Sequence, residues 1–222
     1  MRKVYHLGWR KHKSSLNALN FIFCQKGREL RRNMKQKTSK YIIRLFCVNI
    51  VFITVTVVFA VLHSIFNRGW MLSVYITFLT ISYHFSMRLM VGELVTVIYR
   101  KRKFNLDSIG FRIYKFEEDL YRILKVKKWK TYMVTARPEQ FDLSVNSMDD
   151  LLHNMAQAEL VHRIIMVLSF APVILIIPYG APMIFIVTSL LASLFDLQFV
   201  MIQRYNRPRV MRVLKYNSYA RR

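Results

Sequence analysis

Long uncharged runs set between dense basic clusters constrain this sequence more than any other feature in it. Residues 45–66 form a run of 22 without a formal charge. As a helix, that run rises about 33 Å, enough to cross the hydrocarbon core of a bilayer. A second run covers residues 70–87 and ends at Arg88, although apolar character continues to the cluster Arg100-Lys101-Arg102-Lys103. A third run, 164–178, is short alone but is extended by the helical pattern before it. The fourth, 181–203, carries a single charge, Asp196. Asn67-Arg68-Gly69 and Tyr179-Gly180 are the polar breaks within each pair of runs. The pattern predicts an all-α, polytopic membrane helix bundle with about four transmembrane helices and additional cytoplasmic amphipathic helices.

The charge balance then falls into place. The 222 residues include 35 Lys+Arg and 12 Asp+Glu, a formal net charge of +23, while 54% of residues are hydrophobic. Residues 1–44 alone hold 13 of the bases and one acid, Glu29. With four spans and a cytoplasmic N terminus, only Arg68 of the 35 bases is left in the outer turns, as the positive-inside rule requires. The expected organisation is a basic tail or interfacial segment, 1–44, followed by a bundle, 45–222, with a cytoplasmic segment 100–158 between spans two and three. Leu7, Trp9, Leu16, Leu19, Phe21 and Ile22 suit a short interfacial helix in the tail. The expected location is the cell membrane, multi-pass, with both termini cytoplasmic and the first span retained as an anchor. Membrane lipids are the expected partners of the basic excess. No zinc-finger spacing, RNA-binding motif or helix-turn-helix pattern points to nucleic acid. Cys24 and Cys47 form no CxxC pair.

Residues 113–130 have helical apolar spacing, with acids leading and bases trailing, which predicts an amphipathic helix on the membrane surface. Ser147 and Asp150 fit a helix cap, and the helix they start runs into the third span through Glu159 and His162. Those two residues share a face, and a carboxylate beside an imidazole can fix its tautomer for general-base work. In the fourth run Asp196, Gln203 and Arg207 share a stripe, with Ser189 and Ser193 extending it. An ionisable group within a span usually faces the bundle interior, where Asp196 has His84 or Arg88 as candidate partners. The stripe leads into Gln203-Arg204-Tyr205-Asn206-Arg207-Pro208-Arg209, whose arginines could grip a phosphate or carboxylate.

Lys128-Trp129-Lys130, Ala158-Glu159-Leu160-Val161-His162 and the Gln203–Arg209 run, in that order and spacing, resemble the glycosyl-4,4'-diaponeurosporenoate acyltransferase family. The resemblance covers roughly residues 113–216; the basic N terminus and the Tyr83-His84-Phe85…Arg88 segment lie outside it. Its members are small bacterial integral membrane proteins, and the named one esterifies a glucose hydroxyl of a carotenoid glycoside at the last step of staphyloxanthin synthesis. The resemblance implies acyl transfer to a hydroxyl of a glycolipid or other lipid-linked acceptor at the cytoplasmic leaflet. His162 would be the general base and Glu159 its orienting partner. Gln203 and Asn206 would donate to the oxyanion, and Arg204, Arg207 and Arg209 would hold donor phosphates. Lys128, Trp129 and Lys130 would close the cytoplasmic side. Tyr205, Asp196, His84 and Arg88 complete the expected substrate- and donor-binding set. The acyl donor (acyl-CoA, acyl carrier protein or a lipid) enters as co-substrate, with no bound cofactor and no metal expected. Two other readings stay open: a non-enzymatic membrane scaffold that binds anionic lipid, and a different lipid-modifying transferase. The oligomeric state is not readable, since GxxxG is absent.

Overall fold

The computed structural model describes residues 2–99, 103–133, 137–144 and 146–219. The described residues are helical throughout, with short connections and no strand. Helix α1 (Arg2–Phe66) joins the basic N-terminal segment to the first apolar run without a break. The side chains that would form an interfacial face on residues 7–22, and the bases 100–102, lie outside those described. Asn67, at φ 48°, closes the first turn, and α2 (Gly69–Tyr99) returns along α1. Two short helices come next, α3 (Lys115–Ile123) and α4 (Val126–Trp129). The cap at Ser147, whose Oγ accepts from the Asp150 backbone N–H at 3.1 Å, starts α5 (Met148–Leu168). A 3-10 segment, Ala171–Leu175, and the short α6 (Ile176–Tyr179) lead to Gly180. Gly180 sits at φ 64°, a left-handed conformation that favours glycine, and α7 (Pro182–Tyr219) runs back along α5.

The two hairpins α1/α2 and α5/α7 pack through α2. Tyr83 donates to the Leu168 carbonyl at 2.9 Å, and Gln157 donates to Thr96 at 3.2 Å, so α2 and α5 are antiparallel. It follows that α2 and α7 run parallel. Met87, Val91, Val95 and Ile165 form the apolar core at this junction. The α1–α2 seam is closed by Asn49 donating to Ser86 at 2.9 Å, by Thr56 and Ser82 at 3.2 Å, and by Phe52 against Phe85.

Outward faces are apolar, and the interior sets polar groups beside its apolar core, unlike the surface and core of a protein dissolved in water. Ile50, Val51, Val61, Met183, Leu191 and Ile177 are exposed, whereas Thr80, Ser82, Ser189, Asp196 and Arg207 are buried. Hydroxyls within the helices bond the carbonyl one turn back, as Thr56, Thr80 and Ser169 do, and so need no water.

Three helical segments are long and apolar enough to cross a membrane: Thr38–Phe66, Met148–Tyr179 and Pro182–Tyr216. The fourth expected span, α2, has the length at 31 residues but is diluted by Ser73, Thr77, Thr80, Ser82, His84, Ser86 and Arg88. Several of these face neighbouring helices, so α2 meets little lipid on that side.

The helix expected over 113–130 is two helices. α3 stops before Lys125, which is left-handed at φ 52°, and α4 follows. The break turns Val126 fully inward and lets the Trp129 indole donate to the Leu124 carbonyl at 3.0 Å. Phe116 and Ile123 stay exposed on α3, opposite Glu117 and Tyr121, which are buried.

Candidate functional site

Three helices converge on Asp196, which is 1% exposed. From α5, His162 places Nδ1 2.9 Å from Oδ1 of Asp196. From α2, Arg88 donates to Oδ2 at 2.5 Å, and also to the carbonyls of Ala192 and His84 at 3.2 and 3.0 Å. The imidazole of His162 lies flat on Phe199, with centroids 4.5 Å apart and planes 8° apart. Phe195 packs edge-on against Phe199 and under the Arg88 guanidinium. A carboxylate can only accept here, so Nδ1 donates, and in the neutral ring the lone pair then falls on Nε2. The arrangement holds an imidazole in one tautomer and one orientation, with its side chain 22% exposed.

Glu159 is not the partner of His162. It shares the helical face, but its carboxylate, fully buried, is taken by three arginines. Arg204 donates to Oε1 at 2.8 Å, Arg163 reaches Oε1 at 2.5 Å, and Arg207 bonds Oε2. A buried carboxylate needs positive partners, and α7 supplies two of them one turn apart, out of reach of His162. The same three guanidiniums hold three consecutive backbone carbonyls: Arg163 takes Gly110 at 2.6 Å, Arg207 takes Phe111, and Arg204 takes Arg112 at 2.7 Å. Glu117 completes the clasp by accepting from both ends of the Arg204 fork, from the Tyr121 hydroxyl at 2.6 Å and from the Tyr114 N–H at 3.1 Å.

Burial works against the Glu117 charge, but the bonds from Arg204, Tyr121 and the Tyr114 N–H prevail and hold its pKa at about 2. Burial, and then the bond to Glu117, push the Tyr121 hydroxyl well above the ordinary tyrosine value. A carboxyl depressed on folding contributes stability above its unfolded value of 4.5 and loses it as pH falls towards 2. Thermal unfolding followed by circular dichroism is therefore expected to weaken between those limits. Glu117→Gln removes that component of the acid dependence.

The Gln203–Arg209 run does not act as one grip. Helical phase divides it, with Gln203, Arg204 and Arg207 inside and Arg209 exposed. Arg204 and Arg207 are engaged by Glu117, Glu159 and backbone carbonyls, so both serve the clasp. Asn206 accepts from Lys130 at 2.7 Å and so lies away from His162. Gln203 is buried among the bundle polar groups, and its Oε1 has no hydrogen-bond partner among the described residues. Arg209 stacks on the Tyr205 ring, 3.5 Å from its centroid, and Lys130 is 4.9 Å from the same centroid. Burial, with Arg209 and Lys127 nearby, lowers the Lys130 pKa. Tyr205 and Arg209 border a groove of about 500 Å³ between α3, α4 and α7, where Lys125, Lys127, Lys128 and Arg212 outnumber Glu118 and Asp119. Arg209 lies thirteen residues beyond Asp196. On an α-helix that places it about 140° around from Asp196, so the groove opens on a different face of α7 from the His162 centre.

The expected site residues thus separate into three groups: His162 with Asp196 and Arg88; Glu159 with Arg204 and Arg207; and Lys130 with Tyr205, Asn206 and Arg209, bordered by Lys128 and Trp129. Glu117, Arg163 and the carbonyls of residues 110–112 were not anticipated. The position of Glu117 in the first turn of α3 was the available signal, since it also bonds its own cap residue. Glu159, His162 and His84 do not assemble as metal ligands, and the described residues contain no group of three His, Cys, Asp or Glu placed to hold a metal.

The model of one protein family, described as glycosyl-4,4'-diaponeurosporenoate acyltransferase, matches residues 98–216. No curated protein and no solved structure matches the chain. The matched residues include the Glu159 clasp, the groove, His162 and Asp196, but neither His84 nor Arg88.

Proposed function

The chain belongs to the glycosyl-4,4'-diaponeurosporenoate acyltransferase family, and from that membership we propose that it esterifies a hydroxyl of a glycolipid at the cytoplasmic leaflet, with His162 as the general base. The observation that carries this reading is the His162–Asp196–Arg88 chain of contacts, which fixes the imidazole within a bundle whose outer faces are apolar. Asp196, not Glu159, is the orienting group, and Arg88 holds Asp196 in place.

Nε2 of His162 takes the proton of the acceptor hydroxyl as its oxygen attacks the acyl carbonyl. The new C–O bond forms, the donor's bond to the carbonyl carbon breaks, and the proton passes from Nε2 to the leaving group. Gln203 would offer its amide N–H to the oxyanion, since Asn206 is held by Lys130. The co-substrate is an acyl-CoA, an acyl carrier protein or an acyl lipid.

The topology that suits this reading has four crossings. α2 lies antiparallel along α1 and α5, so where those two cross the bilayer α2 crosses as well, polar as it is. Both termini and the segment 100–158 are then cytoplasmic, and the groove lined by Lys125, Lys127 and Lys128 faces the anionic inner leaflet. That groove is the feature favouring a contribution from anionic lipid binding, alongside the chemistry.

The test is transfer by the full-length protein in nanodiscs supplied with a radiolabelled acyl-CoA and a monoglucosyl lipid. A labelled, ester-linked glucolipid is the expected product, and Asp196→Asn, which presents the wrong tautomer to His162, lowers its rate by at least about tenfold. Lipid mass spectrometry of cells with and without the gene names the natural acceptor. Identical lipid profiles, together with no transfer in nanodiscs, would overturn the reading.

A further inference from the structure

His84 is the midpoint of α2, fifteen residues from each end, and is 6% exposed. Neither of its ring nitrogens has a hydrogen-bond partner among the described residues. Its own backbone carbonyl accepts from Arg88, which reaches across to Ala192 and Asp196 of the parallel α7. One turn back from Arg88 is His84, and about one turn back from Ala192 is Ser189. Ser189 is fully buried, and its hydroxyl is also without a partner among the described residues. Two polar groups thus lie at one level of the α2–α7 seam, next to the Asp196 centre.

Such groups are costly where they stand. Leaving a buried donor or acceptor unsatisfied removes stability, and a leucine or alanine would fill the same space without that penalty. Other hydroxyls on these helices avoid it by bonding the carbonyl one turn back, as Thr80 does to Ile76 at 2.8 Å. Ser189 does not do so, and an imidazole cannot. Polar groups kept in this way inside a membrane bundle are explained by a ligand that completes them.

The chemistry of the pair narrows what that ligand is. The nearest cation, Arg88, is balanced by Asp196 at 2.5 Å, so the seam holds no uncompensated positive charge for a phosphate or a carboxylate; its buried Nε–H, also without a partner among the described residues, adds one more donor. An imidazole offers one donor and one acceptor, and a serine hydroxyl offers both. That combination matches a neutral group with several hydroxyls.

We infer that His84 and Ser189 form a subsite for a sugar ring of the acceptor, binding hydroxyls that neighbour the one presented to His162. The ligand identity rests on the acyl-transfer reading; the subsite itself rests on the two unpartnered groups. Both residues act as binding residues. Like Arg88, His84 belongs to α2 and lies outside the family-matched residues 98–216, whereas Ser189 lies within them.

The experiment compares wild type, His84→Leu and Ser189→Ala, full length, in nanodiscs made without glycolipid, with and without added monoglucosyl diacylglycerol. Without the glucolipid, both variants are expected to melt above wild type, because an unsatisfied polar group has been removed. With it, wild-type melting rises, and the variants lose most of that rise. In the transferase assay the KM for the glucolipid increases about tenfold, the worth of one hydrogen bond, while kcat changes less. If the leucine side chain fails to pack in place of the imidazole, Ser189→Ala carries the comparison alone, since it only removes an oxygen. Variants that melt no higher than wild type, or that keep the full glucolipid response, overturn the subsite. A wild-type response that is lost in the variants, with no transfer by any of them, supports the subsite and overturns acyl transfer.

Discussion

His162→Ala is expected to lower acyl transfer by about 100- to 10,000-fold, the range spanned by a positioned general base, while leaving the melting temperature close to wild type. His162 contacts Asp196 at 2.9 Å and the face of Phe199, but Asp196 keeps its bond to Arg88 when the imidazole is gone. The buried carboxylate therefore stays paired, and the fold does not depend on the histidine. The decisive measurement sets turnover beside thermal unfolding for the same preparation. Lost turnover with intact melting places His162 in the chemistry. Full turnover removes it from that role. His162→Gln refines the result: the amide can still donate to Asp196 but cannot take the hydroxyl proton, so it restores the geometry and not the rate.

Glu159→Ala gives the opposite pattern, a loss of the folded protein itself. Removing one member of a buried ion cluster destabilises by about 3–5 kcal/mol, because the charges left behind are unpaired. Here Arg207 is 1% exposed and would keep only the Phe111 carbonyl, while Arg163 would keep only Gly110. Arg204 still has Glu117, so the clasp fails unevenly, first where Arg207 and Arg163 meet Glu159. Glu159→Gln is expected to fare only slightly better, since one amide oxygen cannot serve three guanidiniums. The measurement is the yield of monodisperse protein after extraction, together with its melting temperature. A Glu159→Ala protein that extracts and melts like wild type would show that the clasp does not hold the fold.

These two outcomes bear on how much of the site the sequence made legible. Glu159 and His162 are three residues apart on one helical face, and from the sequence alone the nearest carboxylate is the natural partner of the imidazole. What decides the matter is the other side of the interface, where α7 brings Asp196 opposite His162 and Arg204 and Arg207 opposite Glu159. Spacing within one helix says which residues share a face; it cannot say which of two carboxylates meets which base on another helix. The Gln203–Arg209 run misleads for a related reason. Read as a string it is one dense basic cluster, but about 100° per residue sends Arg204 and Arg207 into the bundle and leaves Arg209 outside.

The hairpins, by contrast, are readable, because the turns at Asn67 and Gly180 and the cap at Ser147 are local features. Asp196 is readable as a buried ion with Arg88 among its candidate partners, since a lone charge in an apolar run needs one. The division of 113–130 into α3 and α4 is not readable, because it depends on burying Val126 against the bundle. The second span stands out in the sequence by its freedom from charge, whereas its serines, threonines and histidine make it the most polar of the four long helices' apolar stretches.

The clasp on residues 110–112 also sets an order for biogenesis. Its bonds join Arg112 to Arg204 across 92 positions and Phe111 to Arg207 across 96. A ribosome releases Gly110 and Glu117 long before it makes the arginines that will hold them. Until α7 is inserted, Glu117 and Glu159 lack their guanidiniums from that helix, and the segment between the hairpins has nothing to close it. A nascent chain interrupted short of Arg204 would leave Glu159 with Arg163 alone and Glu117 with only Tyr121 and the Tyr114 N–H. The last helix made is therefore the latch that closes the segment between the hairpins.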